Sequence, residues 1–243
     1  ATQHEKEKVI APIMEQYFAL HCSTPVRFNT DSLGTFTGEI ERTHDPLTTV
    51  RNKCLQAMDA EGFDLCIANE GSFGPHPGLF FLPADEEWMI LIDKKNGFEI
   101  KERYLSTETN FKGTNVYNWK ELEAFAQQAG FPTHGLILRK EKDDISGIYK
   151  GIRHWNELNE LYMHLSKANS YVFVETDMRA HQNPTRMNNI SLLTEKLIKK
   201  IKTRCSVCDS PGFGEKKHIP GLPCSLCGTA TKSLNAIINY CSY

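Results

Sequence analysis

The chain has 243 residues, of which 40% are hydrophobic and 24% charged, so it is long enough to bury a core as one large domain or two small ones. Its formal net charge of −2 excludes a strong long-range attraction to nucleic acid or anionic membranes, so any polyanion site must be local. No apolar run approaches the roughly 20 residues of a membrane span, and the charged start is unlike a signal peptide. These features predict a cytoplasmic globular protein.

Helical and strand-like segments alternate along the chain. Apolar residues at helical spacing predict helices over residues 6–18, 47–62, 118–130, 152–169 and 186–203. Short, mostly apolar runs predict strands at residues 64–68, 88–93, 135–140 and 171–175. Such runs are typical of strands that are buried on both faces. The pattern predicts an α/β fold with a mixed, largely buried sheet flanked by helices.

The cysteine spacing sets the end of the chain apart. Two CxxC pairs are separated by fifteen residues, and their members are Cys205, Cys208, Cys224 and Cys227. Pairs with this spacing wrap one tetrahedral zinc ion, and four thiolates leave no open position for water, so the predicted role is structural. We therefore predict an α/β domain over residues 1–202 and a zinc-ribbon-like module over residues 203–243. The alternative is a pair of disulfides or free thiols, and Cys241 is a spare thiol or an accessory contact.

Acidic side chains follow two of the predicted strands. Glu70 follows the strand at residues 64–68, and Glu175 and Asp177 lie at the end of the strand at residues 171–175. In open α/β sheets ligands bind beyond the carboxyl ends of the strands, and carboxylate oxygens are suitable ligands for Mg²⁺. We predict a magnesium site at Glu70 and Asp177.

Basic side chains accompany these carboxylates. Lys6, Arg179 and Arg186 are predicted to face the phosphate of a substrate, with His76 presented nearby by a loop rich in glycine and proline. A structural interpretation stands beside this one. In it Asp177 caps a turn or the next helix, and the two arginines pair with nearby acids.

Several motifs resemble an uncharacterised bacterial protein family. They are "ATQHEKE" at residues 1–7, "GTFTGEIER" at 34–42, "NEGSFGPHP" at 69–77, "ETDMRAHQNPTRM" at 175–187 and the terminal "CxxC…GLPCxxCG". The resemblance spans nearly the whole chain. The family is a domain of unknown function, so the resemblance implies no mechanism.

A second resemblance is to nucleotide pyrophosphatases of the inosine triphosphate pyrophosphatase type. Thr2, His4 and Lys6 are similar in layout to the first substrate loop of those enzymes, although His4 stands where they have asparagine. Residues 48–57 and 64–74 are similar to the helix and the acidic loop that follow, although Gly71 replaces an aspartate. Residues 178–197 are similar in position and polarity to the closing segment that holds the base.

This resemblance implies metal-assisted attack of water on a nucleoside triphosphate, with release of pyrophosphate. Glu70 and Asp177 would bind Mg²⁺, and Lys6 and Arg179 would take the phosphate oxygens. The base would contact His181 or Asn183. The implied partner is a phosphorylated small molecule.

The rival hypothesis is a nucleotide- or nucleic-acid-binding protein with a structural zinc ribbon and no catalysis. A run of basic residues precedes the first CxxC and adjoins two lysines in the loop between the pairs; its members are Lys196, Lys199, Lys200, Lys202, Arg204, Lys216 and Lys217. Such a run favours nucleic acid. A solvated helix face explains it equally simply.

Overall fold

A computed structural model describes residues 4–28 and 44–241, except for the side chains of residues 215 and 216. Within these ranges the chain forms an α/β fold with five α-helices: α1 (Glu7–Tyr17), α2 (Pro46–Glu61), α3 (Trp119–Ala129), α4 (Trp155–Ser166) and α5 (Pro184–Lys202). All five lie where the apolar periodicity predicts them. None of the helices in the described part of the chain is long and apolar enough to cross a membrane.

The first sheet is an antiparallel meander of β1 (Leu65–Pro75), β2 (Pro83–Asp93) and β3 (Phe98–Ser106). Its central strand β2 is covered on both faces. Ile90 and Ile92 pack against α2, whereas Met89 and Leu91 pack against α1 and α5. This alternation explains why residues 88–93 read as a continuous apolar run.

The second sheet has the strand order β4–β7–β5–β6, with bounds β4 (Gly113–Val116), β5 (Leu136–Arg139), β6 (Tyr149–Ile152) and β7 (Val172–Thr176). Helices α3 and α4 supply the rest of its core, including Leu122, Phe125 and Leu158. A third sheet is the hairpin of β8 (Gly214–Pro220) and β9 (Leu234–Tyr240), which follows α5. The division into residues 1–202 and 203–243 stays a prediction.

The prediction of one mixed sheet is wrong, because every strand pairing in the described ranges is antiparallel. The position predicted for Glu70 changes with it. Strand β1 stays in register with β2 from Leu65 opposite Asp93 to Pro75 opposite Pro83, so Glu70 lies within the strand and not after its end. The two acidic motifs therefore do not share a carboxyl edge of one sheet.

Helix α5 begins at a buried asparagine cap. The Asn183 side chain accepts a hydrogen bond from the Arg186 backbone N–H at 3.0 Å and donates to Asn110 Oδ1 at 2.8 Å. Pro184 occupies the first helical turn, where its missing N–H has no cost. The cap therefore fixes the position in α5 from which the Arg186 side chain extends.

Replacing Asn183 with alanine is expected to lower the free energy of unfolding by about 2 kcal/mol, since a helix cap and a buried hydrogen bond are lost together. Denaturant unfolding measures this loss. Asp45→Ala, at the exposed cap of α2, is the matched control and should cost about 1 kcal/mol. Equal losses in the two variants would contradict the buried role of Asn183.

Candidate functional site

A group of buried charged and amide side chains lies where α1, α2 and α5 meet the first sheet. We call it the polar centre, and its members are Lys6, Lys53, Asn69, Glu70, Asp85, Glu87, Arg186 and Asn189. Buried ionisable groups must be paired to avoid a large desolvation cost, and such concentrations mark functional sites or structural networks.

Asn69 connects the centre of this network. Its Oδ1 accepts a hydrogen bond from Lys6 Nζ at 2.8 Å, and its Nδ2 donates to Glu87 Oε2 at 2.9 Å. Burial, followed by the nearby charge of Arg186, lowers the pKa of Lys6 to about 7. The Lys6 amine is therefore easily deprotonated near neutral pH.

Arg186 ties four segments together. Its Nε donates to Glu87 Oε1 at 2.7 Å, its Nη1 donates to the Met178 carbonyl at 2.5 Å, and its guanidinium lies 4.8 Å from the centroid of the Phe73 ring. A Cβ at Gly71 would come within 2.3 Å of Arg186 Nη2, so only glycine leaves room for this arrangement. The arginine predicted to bind phosphate is thus committed to an internal ion pair.

Glu70 has a cation of its own. Its Oε2 accepts a short hydrogen bond from Lys53 Nζ, and both side chains are almost completely buried. A magnesium ion at Glu70 would have to compete with this lysine.

Asp177 has a similar commitment. Its carboxylate accepts hydrogen bonds from the Arg179 side chain, with Nη2 to Oδ2 at 2.5 Å, from the Arg179 backbone N–H at 3.0 Å and from the Gly151 backbone N–H at 3.0 Å. Gly151 has a φ of +73°, which permits this approach. The geometry agrees with the structural interpretation of Asp177 as a residue that organises a turn.

Two imidazoles lie stacked beside these groups. The rings of His4 and His181 have centroids 5.2 Å apart, and His4 adopts a left-handed φ of 62° that is unusual for a residue other than glycine. We call His4, His181 and Arg179 the histidine patch. Lys6 and Arg186 act electrostatically on His4, so the patch adjoins the polar centre.

Both histidines of the patch are held neutral. Burial, reinforced by the charge of Lys6, lowers the pKa of His4 to about 3. Burial, reinforced by Arg179, also lowers the pKa of His181. A neutral imidazole has a free lone pair and can accept a proton or a hydrogen bond, and His4 is the weaker base of the two because its pKa is so low.

The other predicted site residues do not join the patch. His76 holds a turn, since its Nδ1 accepts from the backbone N–H groups of Gly78 and Leu79 at 3.1 and 3.0 Å. Asn183 is fully buried as a helix cap. Thr2 lies outside the described residues. The predicted substrate contacts of His76 and Asn183 stay predictions.

The magnesium prediction receives no support. Glu70 and Asp177 each have a cationic partner, and in the described ranges the one group of three or more side chains suited to a metal consists of cysteines.

That group is Cys205, Cys208 and Cys241, whose sulfur atoms all lie within 4.8 Å of one another and could hold a metal such as zinc. Hydrogen bonds, first with Ser210 and also with Cys241, lower the pKa of Cys208 to about 7, which favours the thiolate that a metal needs. Cys241 is therefore part of the group and not a spare thiol.

Cys224 and Cys227 form a second turn of similar construction. The Cys224 backbone N–H donates to the Thr229 carbonyl at 2.8 Å, as the Cys205 N–H donates to the Ser210 carbonyl at 2.9 Å. The sulfur atoms of this second pair lie outside the three-cysteine group. The structure does not assemble the four predicted ligands around one point.

The basic run of α5 is largely occupied by internal contacts. Lys196 and Lys200 both pair with Glu102 on β3, at 3.2 and 2.7 Å, and Lys202 lies 3.9 Å from the centroid of the Tyr17 ring. These contacts attach α5 to its neighbours. They weaken the case for a nucleic-acid surface.

Most of the polar centre lies outside the residues that the sequence motifs predict for the site: Lys53, Asn69, Asp85, Glu87 and Asn189. One signal was available. Side chains alternate between the two faces of β2, so Asp85 and Glu87 lie on the same face as the buried Met89 and Leu91. Extending the strand predicted at residues 88–93 towards residue 83 would therefore have predicted that both acids are buried.

Asp85 gives the first prediction for the site. It is completely buried, its Oδ1 has no partner in the described ranges, and burial together with Glu87 raises its pKa to about 7 from an ordinary value of 3.8. An acid with a raised pKa in the folded state loses stability as the pH rises from about 4 to 7, by at most about 4 kcal/mol. Asp85→Asn should therefore be more stable than the parent protein at pH 7, and equally stable at pH 4.

Denaturant unfolding at the two pH values measures this difference. The control is Asp59→Asn, which changes an exposed acid of α2 that pairs with Lys94 at the surface. If Asp85→Asn is destabilising at pH 7, the carboxylate is ionised and needed in that form.

The second prediction concerns the cysteines. Protein purified without chelator should contain about one zinc ion per chain by elemental analysis, and Cys208→Ser or Cys241→Ser should release it and expose the residues after 203 to protease. Cys22→Ser, on a half-buried cysteine outside the group, is the control and should keep the metal. Full zinc content in Cys241→Ser would remove Cys241 from the site.

Comparison with known proteins gives one match. A protein-family model described as a domain of unknown function, DUF6671, matches residues 53–243 and therefore most of the chain. The match includes Lys53, Glu87, Arg186 and the cysteine group, whereas His4 and Lys6 precede it. No curated protein and no solved structure matches, so the similarity to inosine triphosphate pyrophosphatases stays a hypothesis. The chain belongs to the DUF6671 family.

Proposed function

We propose that the histidine patch binds the phosphate of a nucleotide or a related phosphorylated small molecule, and that the chain hydrolyses a phosphate ester or anhydride bond of this ligand. One observation carries the proposal. His181 Nδ1 and Gln182 Oε1 are buried next to Arg179 and find no hydrogen-bond partner in the part of the chain that the structure describes. Buried polar atoms are rarely left in this state, so a ligand or water that completes them is the simplest explanation.

The charges around the patch suit an anion. Arg179 uses Nε and Nη2 to hold Asp177, while its Nη1 makes no hydrogen bond to any described residue and its side chain is 21% exposed. Arg186, and Lys6 in its protonated form, act electrostatically on His4 and add positive potential. A phosphate oxygen at Arg179 Nη1 would gain a charge-assisted hydrogen bond.

Hydrolysis also requires a general base, and a neutral imidazole can serve as one. A water molecule that attacks phosphorus must lose a proton, and a neutral His181 can accept it. Negative charge that develops on the phosphate in the transition state would be stabilised by Arg179. In this proposal the imidazole acts as the general base, and the Arg179 guanidinium stabilises the negative charge that develops on the phosphate.

Magnesium enters this proposal differently from the sequence prediction. A metal at Glu70 and Asp177 would have to displace Lys53 and Arg179, which disfavours both carboxylates as ligands. In our proposal the phosphate charge is met mainly by cations of the chain itself. Any magnesium requirement would then arise from the polyphosphate of a nucleotide.

For the cysteine group we propose a structural zinc ion whose fourth thiolate comes from Cys224 or Cys227. Three thiolates alone would leave a position open to water, and the second CxxC turn is built to offer a further ligand. The module would thereby gain the stability that its few apolar residues cannot provide.

A screen of nucleotides and phosphorylated metabolites, read for phosphate and pyrophosphate with and without Mg²⁺, tests the proposed reaction. In this screen His181→Gln should reduce turnover by about a hundredfold or more, as expected for loss of a general base, with little change in KM. His164→Gln, on the exposed face of α4, is the control. The rate of the parent protein should fall only below the ordinary histidine pKa, because the pKa of His181 is lowered. Full activity of His181→Gln would contradict the assignment.

A further inference from the structure

An apolar projection lies at the end of the first hairpin. The segment between β1 and β2 exposes Leu79, Phe80 and Phe81, whose exposed fractions are 45%, 82% and 74%. We call residues 75–83 the hairpin tip. No charged residue occurs in this segment. Large adjacent apolar side chains on a surface commonly mark an interaction site.

The hairpin tip has a defined shape. His76 Nδ1 accepts hydrogen bonds from the backbone N–H groups of Gly78 and Leu79. The backbone N–H of His76 donates a hydrogen bond to the Leu82 carbonyl at 2.8 Å. The Leu82 N–H in turn donates to the Leu79 carbonyl at 2.8 Å. The turn therefore presents both phenylalanines in a fixed arrangement, which lowers the entropy cost of binding.

An apolar cavity of about 360 Å³ lies at the other end of the same hairpin. Met14, Ala57, Met58 and Ile67 contribute to its wall, and half-exposed Phe63 lies at its edge. Cavities of roughly 150 Å³ are sufficient to bind a benzene ring, so this one has room for aromatic side chains. Two acids, Glu61 and Asp64, also line the cavity, and Glu61 accepts hydrogen bonds from the backbone N–H groups of Val26 and Arg27 at 2.7 and 2.6 Å.

The hairpin tip cannot fill the cavity of its own chain. Leu65, at the start of β1, lines the cavity, whereas Pro75, at the end of β1, begins the tip. Strand β1 has 11 residues, and at about 3.3 Å per residue its two ends are more than 30 Å apart.

We propose that two copies of the chain form a reciprocal dimer in which the hairpin tip of each copy inserts Phe80 and Phe81 into the apolar cavity of the other. An antiparallel arrangement of the two hairpins places each tip at the cavity of the other copy, and a two-fold axis makes the contacts identical. The uncharged tip matches the apolar part of the wall, which Met14, Ala57, Met58 and Ile67 form. The dimer is independent of the proposed hydrolysis, since neither element belongs to the histidine patch.

Sedimentation of the full chain under reducing conditions, over a range of concentrations, tests this arrangement. The parent protein should be dimeric. Changing both Phe80 and Phe81 to serine should weaken the dimer at least tenfold, as should Ala57→Phe, which fills the cavity from α2. Tyr117→Ser removes another exposed aromatic side chain and should leave the dimer unchanged. If Ala57→Phe does not fold, Leu65→Arg places a charge at the edge of the cavity instead.

A mixture of the two variants gives the most specific result. The phenylalanine double variant keeps its cavity and the cavity variant keeps its tip, so a mixed dimer retains one of the two contacts. We expect the mixture to form more dimer than either variant alone. A monomeric parent protein, a dimer unaffected by both variants, or a mixture that gains nothing would each overturn the proposal.

Discussion

The buried ion pair between Arg186 and Glu87 is the interaction on which the rest of the structure depends. The two side chains are 6% and 0% exposed, and they join α5 to the central strand of the first sheet. Removing one partner of such a pair typically costs about 3–5 kcal/mol, because the other charge is left buried and unpaired. The same arginine holds the Met178 carbonyl and covers Phe73, so one guanidinium fixes the segment after β7 against β1.

This constraint also explains the electrostatics of the histidine patch. Arg186 and Lys6 stand behind His4 because Glu87 and Asn69 hold them there. Their charges, added to burial, keep His4 neutral, and Arg179 acts in the same way on His181. The histidine patch thus places two neutral imidazoles beside Arg179, whose Nη1 has no hydrogen-bond partner among the described residues.

The sequence predicted those parts of the fold that local pattern determines. Apolar periodicity located all five helices, since each buries one face against a sheet. Sheet topology escaped prediction, because a run such as residues 88–93 looks alike in a parallel sheet and in the centre of an antiparallel one. At the site, the pattern marked Lys6, Glu70, Asp177 and His181. Lys6 is 63 residues from its partner Asn69, and Arg186 is 99 residues from its partner Glu87, and local spacing carries no information about such pairs.

Titration of the imidazoles of His4 and His181 by nuclear magnetic resonance, with and without inorganic phosphate, tests the central claim most directly. We expect both rings to titrate below the ordinary histidine pKa in the free protein, and bound phosphate to raise their pKa values because a nearby anion favours the imidazolium form. Ordinary pKa values near 6.5 that do not respond to phosphate would contradict it.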